Sequence, residues 1–197
     1  YILPAYQLNV RVAETNKVAT MPVRGAGYPE AAFAMEREID RIADELGRDQ
    51  QGEPWHGPSA RQVLGGVSAA AAAARPIAGG HSIWELVLHI IAWRGEVARR
   101  VEGGEPAEPA DGDWPAVAET TEAAWVRTVA RLEDSYRALV AALRKLPEDR
   151  LNELVGRQRD PALGTGVTYY VMLHGVAQHD AYHLGQISLL KRALVLV

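Results

Sequence analysis

The segment "HSIWELVLHIIAWRGEVARRVEG", residues 81–103, restricts the possible folds more than any other. Ile83, Trp84, Leu86, Val87, Leu88, Ile90, Ile91 and Trp93 point in every direction, because an α-helix turns about 100° per residue. A helix that is apolar nearly all the way round must be buried on more than one side. It starts near His81-Ser82 and is closed by Gly103-Gly104.

The rest of the chain supplies candidate neighbours. From Tyr28, the spacing of Ala32, Met35, Ile39, Ile42 and Leu46 predicts a first long helix, with Gly47 as its stop. A connection follows that opens on a Pro/Gly-punctuated turn. In it Ser59 caps a short helix, and an alanine-rich second turn ends at Arg75-Pro76. After the Pro/Gly/acid-rich loop "GEPAEPADGDWP", the residues Trp125, Val129, Leu132, Tyr136, Leu139 and Leu143 predict a helix over 121–145. "LPEDRLNELV" adds one short helix, and the last long helix runs from about Val167 to Leu194. Long helices joined by loops, with no convincing period-two alternation, predict an all-α four-helix bundle with a short helical segment between the first and second long helices.

With 197 residues, 48% apolar and 23% charged, one globular domain is expected. It is placed at 21–197. Residues 1–20 are set apart as an N-terminal extension, since the chain opens on Tyr1 and Met21 is a candidate start. A net charge of −4 with scattered basic residues gives no reason to expect nucleic acid or anionic lipid as a partner. No run approaches the roughly 20 apolar residues of a membrane span. No basic and apolar leader opens the chain, so the expected location is cytoplasmic. The absence of cysteine excludes a disulfide framework, a thiolate metal ligand and a cysteine nucleophile, and leaves His, Asp and Glu to hold any metal.

Three of the six histidines, His174, His179 and His183, lie within ten residues of the last helix, in "LHGVAQHDAYHLGQISLLKR". With His179 as origin, His183 lies about 40° away, on a stripe shared with Met172, Val176, Leu190 and Leu194. His174 lies about 140° away, on the side of Ser188 and Arg192. Histidines four apart bring their imidazoles close enough to share one metal. Two neutral core histidines satisfied by hydrogen bonds would give the same pattern. His89, embedded in the apolar second helix, is a third imidazole needing a partner. One divalent ion would satisfy all three and leave a coordination position open, which is the catalytic rather than the structural pattern.

Other polar residues are weaker candidates. Glu85, one turn before His89, is a candidate hydrogen-bond acceptor or general base, with a structural role as the alternative. Gln186 faces inward one turn after His183 and is placed to bond water or substrate, or simply to be a core polar group. His56, beside Trp55 in a turn, is either a surface or capping residue or a site-lining one. His81 reads as a helix-start residue.

At "HSIWELVLHIIAW" and "HDAYHLGQI" the chain resembles the DinB/YfiT-like superfamily of four-helix-bundle metalloproteins, whose signature is a histidine in an apolar second helix and a closing H-x3-H-x-G-Q. "PWHGPSARQVL" is similar to the turn before the second helix in one branch. The resemblance spans about residues 28–195. Carried over position by position, it implies a metal triad of His89, His179 and His183. It further implies zinc most often, with nickel, iron or manganese as alternatives, and a homodimer. The activity implied is that of a metal-dependent hydrolase or a transferase using a low-molecular-weight thiol.

Two functions are therefore expected. In the first, an enzyme with a His₃ divalent centre acts on a small molecule, as a hydrolase or with an external thiol as cosubstrate. In the second, a non-catalytic dimeric bundle has a structural or vacant metal site.

Overall fold

The computed structural model describes residues 28–54 and 57–194, with residues 28–37 described as helical backbone alone. The predicted extension 1–20, the start at Met21, the side chains of Ala32 and Met35, and the turn residues Trp55 and His56 lie outside the described residues. Among the described residues six α-helices follow in order: α1 Tyr28–Gln51, α2 Ala60–Leu64, α3 Ala69–Ala73, α4 Ile83–Val101, α5 Glu122–Leu143 and α6 Tyr169–Ala193.

Local chemistry sets most of the boundaries. Ser59 and Ser82 each begin a capping box, with Gln62 and Glu85 reaching back to the cap nitrogens of α2 and α4. Ser68, Thr121 and Thr168 accept from the backbone of the first turns of α3, α5 and α6. Gly47 does not stop α1, which runs on to Gln51. A Cβ at Gly47 would stand 3.1 Å from the Tyr136 hydroxyl, so this glycine serves the close approach of α5.

The four long helices form the bundle. Both α1 and α4 pack against α5 and α6, so that α1 and α4 face each other across the interior. α3 covers the start of α4, and the apolar surround of α4 is thereby used within one chain. Apolar residues left exposed include Val171, Tyr182 and Leu189 on α6, Val126 on α5 and Leu154.

Burial divides the interior into two apolar clusters. One gathers α2, α3, the first half of α4, and Trp125, Leu132, Leu184 and Ile187. The other gathers Ile39, Ile42, Leu46, Val97, Leu139, Leu143 and Leu173. Buried polar groups lie between them in sequence on α4 and α6. Arg94 Nε donates to Asp180 Oδ2 at 2.8 Å, and Arg94 Nη1 donates to Gln50 Oε1 at 2.8 Å and to the Leu132 carbonyl at 3.2 Å. One guanidinium thus ties all four helices. Buried tryptophans are also satisfied: Trp84 donates to Thr128 Oγ1 at 3.0 Å and Trp125 to the Val67 carbonyl at 2.7 Å.

One feature was not expected. Leu154–Val155 and Val167–Thr168 pair as a two-residue antiparallel ladder, preceded by a 3₁₀ turn at Glu148–Asn152. Two residues are too few to show alternation in a sequence. The ladder closes the base of a loop, residues 156–166, that is stitched internally: Thr165 Oγ1 donates to the Gln158 carbonyl at 2.7 Å and accepts from the Asp160 amide at 3.1 Å. Gly166, with φ of +71°, lets the chain pass over Arg159, whose Cα would lie 2.6 Å from any added Cβ. No described helix is long and apolar enough to cross a membrane.

Candidate metal centre

Helical phase brings His89 from α4 together with His179 and His183 from α6. Their Nε2 atoms converge, with His179 Nε2 2.9 Å from that of His89 and 3.1 Å from that of His183. His89 and His183 are buried, whereas the His179 side chain is 29% exposed. The buried arc of α6 is centred on Val176, Asp180 and Ile187, about 80° round the helix from His179. Both histidines therefore lie to one side of the core-facing centre, His183 within the buried arc and His179 at its open edge.

The far nitrogens show which atoms are free to bind. His89 Nδ1 lies 2.6 Å from the Asp113 carbonyl, an acceptor, so the proton sits on Nδ1 and leaves the Nε2 lone pair facing inward. His183 Nδ1 lies 2.8 Å from Gln186 Oε1, with the same consequence. His179 Nδ1 is buried without a hydrogen-bond partner, and the nearest carboxylate oxygen, Asp180 Oδ1, stands 3.8 Å away and is itself unpartnered. Converging lone pairs repel unless a cation or proton is shared among them. The cluster fits a metal site: three imidazole nitrogens, all within 4.8 Å of one another, are a donor set suited to one divalent ion.

The loop between α4 and α5 completes the surroundings of His89. Its Trp114 indole stacks on His89 at 4.0 Å with a 9° tilt, and His81 stacks on the other face of Trp114 at 3.5 Å. Asp113 Oδ1 accepts from Trp93 Nε1 at 2.7 Å. Sequence periodicity cannot find loop residues such as these, although a tryptophan inside "ADGDWP" is a usable signal, because so large an apolar ring seldom stands free of the core.

The other candidates fall elsewhere. The Glu85 carboxylate accepts from the Ser82 amide at 2.8 Å and pairs with Arg75, so it is committed to the start of α4. Gln186 does reach the cluster, through His183. His81 is not merely a helix-start residue, given its stack on Trp114. His56 lies outside the described residues. His174, expected to face outward, is half-buried, with Nδ1 3.6 Å from Glu45 Oε2 and its ring edge-on to Tyr170. α1 packs along that flank of α6 and shields it.

Burial pushes the His89 imidazole below its ordinary pKa and pushes that of His183 down to about 4, against the opposing pull of Gln186. Both are neutral at pH 7, as ligands must be. In the unfolded chain an imidazole titrates near 6.5. Below that pH the unfolded state takes up a proton that the folded state refuses, so stability is full above 6.5 and falls as the pH drops toward 4. Metal-free protein is expected to lose about 2 kcal/mol between pH 7 and pH 5 from His183. Urea titrations at fixed pH measure this, and a His183→Asn protein with the same slope would refute it.

A four-helix bundle with three imidazoles gathered at one edge of its interior defines a class of metal-binding helical protein. Residues 56–187 match the family model of the DinB superfamily, and the chain belongs to that superfamily. A model of the molybdopterin cofactor-binding domain matches residues 1–51, of which the described part is α1 of the bundle. No curated protein matches the chain. Among solved structures, YfiT from Bacillus subtilis, described as "a probable metal-dependent hydrolase with an unusual four-helix bundle topology", is similar with a TM-score of 0.52 and 13% identity, over 93% of each chain. At that identity the likeness is one of fold.

Proposed function

We propose that the protein is a metal-dependent hydrolase in which His89, His179 and His183 hold one divalent transition ion, with zinc the leading candidate. The observation that carries this is the convergence of three Nε2 atoms, two of them fixed as lone-pair donors by the Asp113 carbonyl and by Gln186. Such an ion supplies Lewis-acid polarisation of a carbonyl and makes water more acidic. The chain's own residues supply the rest.

His179, the most open of the three, faces a cavity whose lining includes Trp93, Val97, Met172 and Val176 and is mainly apolar, so substrate meets the site from that side. Trp114 covers the opposite face of His89 and excludes water there. Asp180 is fully buried and bound to Arg94, whereas Asp113 beside His89 is 43% exposed. The dipole of the Gln186 amide raises the basicity of His183 and fixes its ring.

The test uses protein purified without a histidine tag, loaded separately with zinc, nickel or manganese, and assayed against panels of esters, amides and thiol-transfer substrates. Hydrolysis is expected to depend on stoichiometric metal and to fall at least about a hundredfold in His183→Ala. Stoichiometric binding without metal-dependent turnover would leave the non-catalytic bundle. Turnover only with an added thiol would identify a transferase.

A further inference from the structure

The cavity beside His179 encloses about 290 Å³ between α4, α6 and the loop 156–166. That is near the lower end of small-ligand sites. Its walls are apolar, its lining includes no aspartate or glutamate, and two arginines, Arg100 and Arg159, border it. The arginines are not equivalent. Arg100 is buried and fully used: Nε donates to Glu96 Oε1 at 2.7 Å, Nη1 to the Leu163 carbonyl at 2.7 Å and Nη2 to the Ala107 carbonyl at 2.9 Å. It anchors the loop over the cavity. Arg159 is exposed, and among the described residues its one hydrogen bond runs from Nη1 to the Thr165 carbonyl at 2.8 Å, which leaves its charge without an acidic partner.

The guanidinium is tied to the loop by that bond, and the loop itself is held by several independent means. They are the Arg100 anchor at Leu163, the Thr165 bonds to Gln158 and Asp160, the Asp160 carboxylate accepting from the Ala162 amide at 2.9 Å, and the passage of Gly166 over Arg159. A cation at the rim of an apolar cavity, carried on a stitched loop and with no acid to answer it, matches a ligand with a greasy body and one negative end.

We propose that this cavity binds a small monocarboxylate with an apolar or aromatic body, its carboxylate paired with Arg159 and its body between α4 and α6 beside His179. The inference deepens the hydrolase reading by naming the substrate class of the same site, and it rests on that reading only for the cavity's use in catalysis. Binding itself is a property of the cavity. An enzyme with this specificity would cleave a bond in molecules that carry a free carboxylate.

The probes are 3-phenylpropanoate and its uncharged analogue 3-phenylpropanamide, titrated calorimetrically into the full chain, metal-free and zinc-loaded. Metal-free wild type is expected to bind the acid about tenfold more tightly than the amide, and Arg159→Gln to bring the two within about twofold. Gly175→Leu is expected to remove binding of both. This glycine lines the cavity inside α6, a Cβ there would meet nothing within 4 Å, and leucine favours the helix, so circular dichroism should be unchanged. Equal affinity for acid and amide in wild type would overturn the proposal. So would binding of neither, or discrimination that persists in Arg159→Gln or occurs only in the zinc-loaded protein, where the ion itself would be the anion receptor. A chain that takes up no metal yet discriminates through Arg159 would defeat the hydrolase reading and leave this one standing.

Discussion

A His183→Ala protein, purified without a histidine tag and equilibrated with zinc, is expected to retain less than about one tenth of the ion bound by wild type. Removing any one of three converging nitrogens leaves only two donors for the ion. His89→Ala and His179→Ala should therefore behave alike. His174→Ala should keep full occupancy, because its Nδ1 faces Glu45 on the α1 flank. Gln186→Leu should fall between, with affinity about 10- to 100-fold weaker, since the tautomer and orientation of His183 are set by that amide. Metal analysis and competition with a chelator of known affinity read all five variants. Equal losses at His174 and His183 would refute the assignment.

The largest effect on stability is expected from Arg94→Met. It strands the Asp180 carboxylate, which is 0% exposed and already has one oxygen without a partner. Breaking a buried ion pair from one side typically costs about 3–5 kcal/mol. Here it also deprives Gln50 Oε1 of its donor, while the Leu132 carbonyl keeps the Ser135 hydroxyl. The double variant Arg94→Met, Asp180→Leu removes both charges and should cost less than either single change. Urea unfolding followed by circular dichroism measures the cycle. Single variants within 1 kcal/mol of wild type would show that the pair contributes little to holding the bundle.

Much of this was written in the sequence, because helix phase is a strict constraint. The four long helices follow from apolar spacing, and the grouping of His89 with His179 and His183 follows from where each falls on its helix. Arg94 was not singled out, although it stands on the stripe Ile90, Val97, Val101 and interrupts it with a charge. Asp180 does the same between Val176 and Leu184. What escaped is what has no period: Asp113 and Trp114 on a loop, the two-residue ladder, and the stitched segment carrying Arg159. Glu85 takes the structural of its two expected roles. Its spacing from His89 suits a contact, but a capping box claims a glutamate three residues after a serine before longer-range contacts are decided. Gly47 shows the same ambiguity, for a glycine inside a helix and one that ends it look identical until the neighbour, Tyr136, is known.

The support of His89 by Asp113 and Trp114 has an effect on the order in which the molecule comes apart. Two of the three imidazoles ride on a single continuous helix, whereas the third owes its ring orientation to a connecting segment without regular structure over most of its length. Segments of that kind open at a lower free energy than the helices they join. A chain in which only this connection has detached keeps its apolar interior and helical content but loses the fixed orientation of one donor. Affinity for the ion would then fade at temperatures or denaturant concentrations where the scaffold is still intact.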